Sequence, residues 1–216
     1  MHSGCLYYSL TTQSKSQLRQ DLFCLYFNGW KKNGFFFEAG ALDGVRDSNT
    51  YLLETLFGWR GMLVEPSRQF HQKLRKNRRC RIDTRCLFSA SNKHLEFNEL
   101  PDCGLSHLKE VDSTAGATHS NDSPQVVYSV PTVSLNDLLE NCPDTIDYLS
   151  LDTEGSEYLI LKNFDFSKHR FNFISVEHNN SKWQEPLTKL LTDNGYKKVY
   201  ENLSGGDGWY VPTTLR

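Results

Sequence analysis

The stretch FFFEAGALDG (Phe35–Gly44), followed by SNTYLLETLF (Ser48–Phe57) and GMLVE (Gly61–Glu65), decides the fold. Phe35-Phe36-Phe37-Glu38 is an apolar run too short for a helix and rich in strand formers. It breaks into a loop bearing Gly40 and Gly44. Tyr51, Leu52, Thr55 and Leu56 then recur with helical spacing behind Ser48, a residue suited to capping a helix start. Gly61 to Val64 forms a second apolar strand, closed by Glu65 and Pro66. Strand, loop, helix and strand make the repeating unit of a parallel sheet with crossovers.

The pattern extends in both directions. Upstream, Ser16–Gly34 carries Leu18, Leu22, Leu25 and Tyr26 in helical register, with Gly34 as a stop. Downstream, the spacing predicts a helix over Ser67–Asn77 and strands over Arg81–Phe88 and His94–Asn98. A polar loop, Pro101–Pro124, follows. Val126–Val130 resumes as a strand, Ser134–Asn141 as a helix capped by Ser134, and Ile146–Leu151 as a strand ending at Asp152. A helix over Glu157–Asn163, a strand over Phe171–Val176 and a helix over Trp183–Asn194 complete the alternation. Tyr196–Tyr200 and Trp209–Val211, joined by the polar Ser204–Gly208, read as an antiparallel hairpin. The expected class is α/β, with a mostly parallel central sheet, helices on both faces and a C-terminal antiparallel hairpin. Residues 1–15 are read as a polar N-terminal extension and 16–216 as a single domain.

Composition bounds the function. A chain of 216 residues buries roughly 70% of its unfolded surface, so a core needs no disulfide or metal staple. The hydrophobic share is 38%, offset by 13 Phe and 10 Tyr that bury much area each. A net charge of −2 offers no electrostatic footprint for nucleic acid. The basic run Lys73–Arg81 reads as the solvated end of a helix. Cys5, Cys24, Cys80, Cys86, Cys103 and Cys142 show no C-x-x-C pair and no zinc spacing, and read as mostly buried, reduced thiols. No signal-peptide pattern opens the chain, and no stretch approaches the ~18 apolar residues of a membrane span. A soluble, cytoplasmic protein is expected.

Chemistry gathers where predicted strands end. In the pattern Glu38-x-Gly40-x-x-x-Gly44, glycine permits a tight turn and close approach to a ligand. Leu42 stands where a dinucleotide fingerprint needs glycine, and the lysine of a P-loop is missing. Glu65 is placed to accept both hydroxyls of a ribose. Asp43 would repel a pyrophosphate but pair with the ammonium of a methionine moiety, which favours S-adenosylmethionine. Asp152 and Glu154 sit where ligands bind in open α/β sheets, whereas Glu157 is read as complementing a helix dipole. His178, in Glu177-His178-Asn179, is either a general base or an ordinary satisfied polar residue.

Seven segments in order carry a resemblance: SQLRQDLF, GFFFEAGALDG, SNTYLLE, GWRGMLVEP, VSLNDLL, IDYLSLDTEGSE and the closing GYKKVYEN with DGWYV. The chain resembles the FkbM family of methyltransferases along most of its length. The resemblance implies a Rossmann-like methyltransferase fold, use of S-adenosylmethionine, and O-methylation of a sugar, glycan or small-metabolite hydroxyl. Glu38 stands where many relatives have Asp. By this likeness Glu38, Gly40, Asp43 and Gly44 hold the methionine end and Asn49 reaches its carboxylate. Glu65 binds the ribose, Cys86 and Leu87 flank the adenine, and Asp152 lies under the sulfonium end.

An aliphatic hydroxyl needs its proton removed before it attacks a methyl group. His178, or a carboxylate of Asp152 and Glu154, is the expected base. A divalent metal such as Mg²⁺, held by Asp152 and Glu177 with Asn179 nearby, would serve equally. Pro101–Pro124 and Ser204–Gly208 are the expected mouth for a small-molecule or glycan acceptor. A non-catalytic cofactor-binding scaffold is the alternative function.

Overall fold

The computed structural model describes residues 10–101, 104–111 and 125–215. Along them run α1 (Gln20–Phe27), β1 (Phe35–Ala39), α2 (Tyr51–Phe57), β2 (Arg60–Val64), α3 (His71–Asn77), β3 (Arg81–Asp83) and β4 (Cys86–Phe88). There follow β5 (His94–Glu99), β6 (His107–Leu108), β7 (Val126–Ser134), α4 (Leu135–Leu139), β8 (Thr145–Leu151) and α5 (Glu157–Lys162). The chain closes with β9 (Arg170–Glu177), α6 (Gln184–Asp193), β10 (Tyr196–Val199) and β11 (Asp207–Pro212).

A seven-stranded sheet has the order β10-β11-β9-β8-β1-β2-β3. β3, β2, β1, β8 and β9 are mutually parallel, and β11 runs antiparallel between β9 and β10. Both faces are buried, so the strands read as continuous apolar runs without strict alternation. On one face Phe37, Met62, Val64 and Leu149 pack against α4, α5 and α6 through Leu138, Leu161 and Leu187. On the other, Phe36, Leu63, Tyr148 and Phe173 pack against α1, α2 and α3 through Leu25, Leu52 and Leu74. Each such side chain stabilises the fold by roughly 1.5–3 kcal/mol. The expected α/β class, parallel sheet and closing hairpin are all present.

A second sheet, β4-β7-β5-β6, stands beside the first. The expected single strand Arg81–Phe88 is two strands, one in each sheet. The break has a local cause: Asp83 accepts the N–H of Arg85 at 2.9 Å and clamps its guanidinium at 2.6 Å, turning the chain. The first helix is also shorter than the Ser16–Gly34 expected. Asn28 bonds back to the Cys24 carbonyl at 2.9 Å, and Gly29 and Trp30 take positive φ. Gly34 is no helix stop, because it makes room for the ring of Trp59.

Within the stretch read as an extension, Leu10 joins the core and Ser14 donates to Asp21 at 2.7 Å. Of the Pro101–Pro124 loop, residues 102–103 and 112–124 lie outside the described residues. The four cysteines among the described residues are free. No helix among them is long and apolar enough to cross a membrane.

Candidate active site

The strand order reverses at β1. The chain leaves β1 through α2 on one face, and leaves its neighbour β8 through α5 on the other. Diverging loops at such a switch point leave a crevice beyond the carboxyl ends of the strands. Here the crevice is a cavity of about 400 Å³. The ends of β1, β2, β8 and β9 floor it, and Phe97 and Leu108 of the second sheet, with Gly104–Ser106, close it.

At the end of β2, Glu65 is buried, and its two oxygens accept different backbone N–H groups. Oε2 takes Leu42 and Oε1 takes Ser67, both at 2.8 Å. Burial pushes its pKa up to about 7 against the pull of these donors. Leu42 reaches it from a left-handed conformation, φ +48°, a strain of about 1–2 kcal/mol. Cys86 and Leu87 line the same part of the cavity.

On the other side of β1, Asp152, Glu154 and Glu177 line the cavity. Burial raises the pKa of all three. Asp152 rises well above its usual range because Glu177 and Glu154 also face it, and Glu154 reaches about 8 beside Glu177 and Glu157. Glu154 is buried with φ +57°, and its Oε2 has no hydrogen-bond partner. Glu157 does what its place at a helix start predicts. Its Oε1 accepts the Thr153 N–H at 2.6 Å and its Oε2 the Gly155 N–H at 3.1 Å.

The loop between β1 and α2 is built on Glu38 and Arg78. Oε1 of Glu38 accepts the Asn49 N–H at 2.7 Å, and Oε2 accepts the hydroxyls of Ser48, at 3.1 Å, and Thr50. Arg78 is fully buried. Its Nε donates to Glu54 at 2.6 Å, and its other nitrogens donate to the Gly44 carbonyl, Ser48 and Thr50 at 2.8–3.1 Å. The reading of Lys73–Arg81 as a solvated basic run is therefore corrected at Arg78. Burial raises Glu38, with Arg78 and the three donors pulling it back.

Sequence-predicted residues thus fall into two groups. Glu38, Gly40, Asn49, Glu65, Cys86, Leu87, Asp152 and Glu154 are brought together around the cavity. Asp43, Gly44 and His178 are not among its lining residues. Asp43 caps its own loop, accepting the Val45 and Arg46 N–H groups at 2.9 and 2.8 Å. Gly44, at φ +80°, gives way to Arg78 and Leu74. His178 is buried, its Nδ1 accepts the Asn180 N–H at 3.1 Å, and burial pushes its pKa down. Asn49 donates through Nδ2 to Ser150 at 2.9 Å and leaves Oδ1 without a partner. In a small annex beside the cavity, Asp207 of the Ser204–Gly208 segment meets Gln17 and Gln20.

A doubly wound sheet with an antiparallel strand set into its last hairpin, and a carboxylate-rimmed cavity at the switch point, defines a methyltransferase architecture. The methyltransferase FkbM domain matches residues 38–198, and the chain belongs to that family. Among solved structures it is similar to the precorrin-6y C5,15-methyltransferase of Geobacter metallireducens GS-15. Identity is 11% over 88% of this chain and 86% of that one, with a TM-score of 0.45. No protein with a curated description matches the chain.

Proposed function

We propose that this methyltransferase uses S-adenosylmethionine and methylates a hydroxyl of a sugar, glycan or small metabolite. One observation carries the reading. A single cavity has Glu65 at the end of β2 and three carboxylates at the ends of β8 and β9, with β1 between them.

Each oxygen of Glu65 already accepts one N–H and keeps a further lone pair, so the pair suits two ribose hydroxyls. Cys86 and Leu87 offer an apolar wall for an adenine ring. The unpartnered Oδ1 of Asn49 is an acceptor, and so suits an ammonium better than the carboxylate expected from the resemblance. When bound, S-adenosylmethionine supplies an electrophilic methyl carbon on a good leaving group. The chain's own part is to hold an acceptor oxygen in line and take its proton. Glu154, with its partnerless Oε2 on the cavity wall, is the base this geometry favours over His178.

Calorimetric titration with S-adenosylhomocysteine tests the cofactor. Binding should fall by more than about tenfold in Glu65→Ala, the order of losing hydrogen bonds to a charged group. A folded protein that binds none would return the chain to the non-catalytic alternative. With labelled methyl donor and a panel of sugars and alcohols, Glu154→Gln should lose about 10²–10⁴-fold in turnover while keeping S-adenosylhomocysteine affinity.

A further inference from the structure

On the β8 and β9 side of the cavity, side-chain oxygens of Asp152, Glu157 and Glu177 all lie within 4.8 Å of one another. Topology brings them there. Asp152 follows β8, Glu177 ends the adjacent parallel strand β9, and Glu157 opens α5 just beyond Asp152. Among the described residues, no ion pair reaches any of the three, nor Glu154 beside them.

Backbone N–H groups at a helix start can hold such acids, and they do hold Glu157. That explanation fails for its neighbours. Glu154 is 6% exposed and lines the cavity, yet its Oε2 is buried without a partner. Oε2 of Glu177 is in the same condition. Asp152 and Glu177 hydrogen-bond to each other, and protons or a cation must offset the remaining buried charge; a shared cation compensates several acids at once.

We propose that Asp152, Glu157 and Glu177 bind a hard divalent cation, magnesium or manganese, in the wall of the cavity. The spacing fits, since oxygens about 2.1–2.4 Å from one ion stand no more than about 4.2–4.8 Å apart. An all-carboxylate donor set selects magnesium, manganese or calcium over zinc or copper. Three protein ligands leave coordination positions open toward the cavity. The role of the ion rests on the proposed methyltransferase function: an acceptor hydroxyl in an open position would be oriented and more easily deprotonated, with Glu154 beside it as the base. The existence of the site does not rest on that function.

The test uses the full chain, freed of metal by a chelator and titrated with Mn²⁺ alone. Free ion is followed by its paramagnetic resonance signal, and Tm is recorded with and without metal. One saturable site per chain, displaced by Mg²⁺, is expected, with Tm rising as the ion binds. In Glu177→Gln affinity should fall by more than about tenfold. The metal-free variant should melt no lower than the wild type, because like charges have been thinned, so lost binding cannot be mistaken for unfolding. Absence of saturable Mn²⁺ binding in the wild type, or binding unchanged in Glu177→Gln, overturns the site. S-adenosylhomocysteine titrated into the same samples separates the two ideas. Its binding without Mn²⁺ binding removes the ion and keeps the cofactor, and Mn²⁺ binding without it does the reverse.

Discussion

Gly40 has φ +84°, and a Cβ built on it falls 1.9 Å from the carbonyl oxygen of Asp152. Replacing it with alanine therefore incurs two separate penalties. A left-handed backbone costs a residue with a Cβ about 1–2 kcal/mol. The contact is with backbone, which cannot swing aside, so the ends of β1 and β8 must part where Asp152 N–H meets the Ala39 carbonyl at 3.1 Å. Overpacking of this kind costs about 1–3 kcal/mol, for a total near 2–5 kcal/mol.

Gly195 isolates the first penalty, because it has φ +88° and nothing within 4 Å of a built Cβ. Gly195→Ala should thus lose only the backbone share, about 1–2 kcal/mol. Urea denaturation of the two variants, compared at equal m-value, should separate them by about 1–3 kcal/mol. S-adenosylhomocysteine affinity should fall in Gly40→Ala, whose distortion reaches Asp152, and hold in Gly195→Ala. Equal destabilisation of the two would refute the claim that Gly40 is glycine for the sake of the β1–β8 junction. It would return that residue to the role of making room for a ligand.

Arg78→Met should cost about 3–5 kcal/mol in denaturant titration, since it strands the buried Glu38 and breaks the pair with Glu54, and a loss under about 1 kcal/mol would contradict the network described. If Glu65, raised to about 7 by burial, holds the ribose as proposed, cofactor affinity is pH-dependent. Ribose hydroxyls donate to its ionised form, so S-adenosylhomocysteine affinity should be level above about pH 7 and fall toward tenfold per unit below it. Calorimetry across pH should show that slope vanish in Glu65→Gln. In the unliganded protein the sign reverses. The folded state holds this proton more tightly than the unfolded chain, so the contribution of Glu65 to stability is full below its unfolded value of 4.5 and is lost as pH rises through about 7.

Much of this architecture was legible in the sequence because its signals are local. Apolar runs closed by Glu38, Glu65, Asp152 and Glu177 mark strands whose carboxyl ends face one crevice, and Ser134 caps α4 as its position predicts, accepting the Asp137 N–H at 3.1 Å. Part of what escaped was set by partners distant in sequence, and part by short local clamps. Nothing in Lys73–Arg81 distinguishes Arg78 from its solvated neighbours, because Glu38 and Glu54, which bury it, belong to β1 and α2. Asp83 and Arg85 lie inside a run of strand formers, yet their mutual clamp sends β3 and β4 into different sheets. Asp43 looked like a ligand group because it flanks a glycine loop. A carboxylate that short reaches its own backbone first, and it does so here.

The loop between β1 and α2 is held largely by its own residues and by Arg78. Glu38, Asp43, Gly44 and Arg78 are engaged with the protein itself, and together they fix the loop's shape. Preorganisation of that kind leaves recognition to whatever remains unpaired. Buried polar atoms without partners are rare in folded proteins, and three of the six among the described residues share one place. Asn49 Oδ1, Glu154 Oε2 and Glu177 Oε2 come from the ends of three different strand–loop segments, and all three residues line one cavity. With both glutamates ionised all three atoms are acceptors, and a group completing the site in that state brings positive charge or donated hydrogens. An ammonium at Asn49 and a divalent ion at Glu177 meet that requirement, whereas a phosphate or a second carboxylate would not.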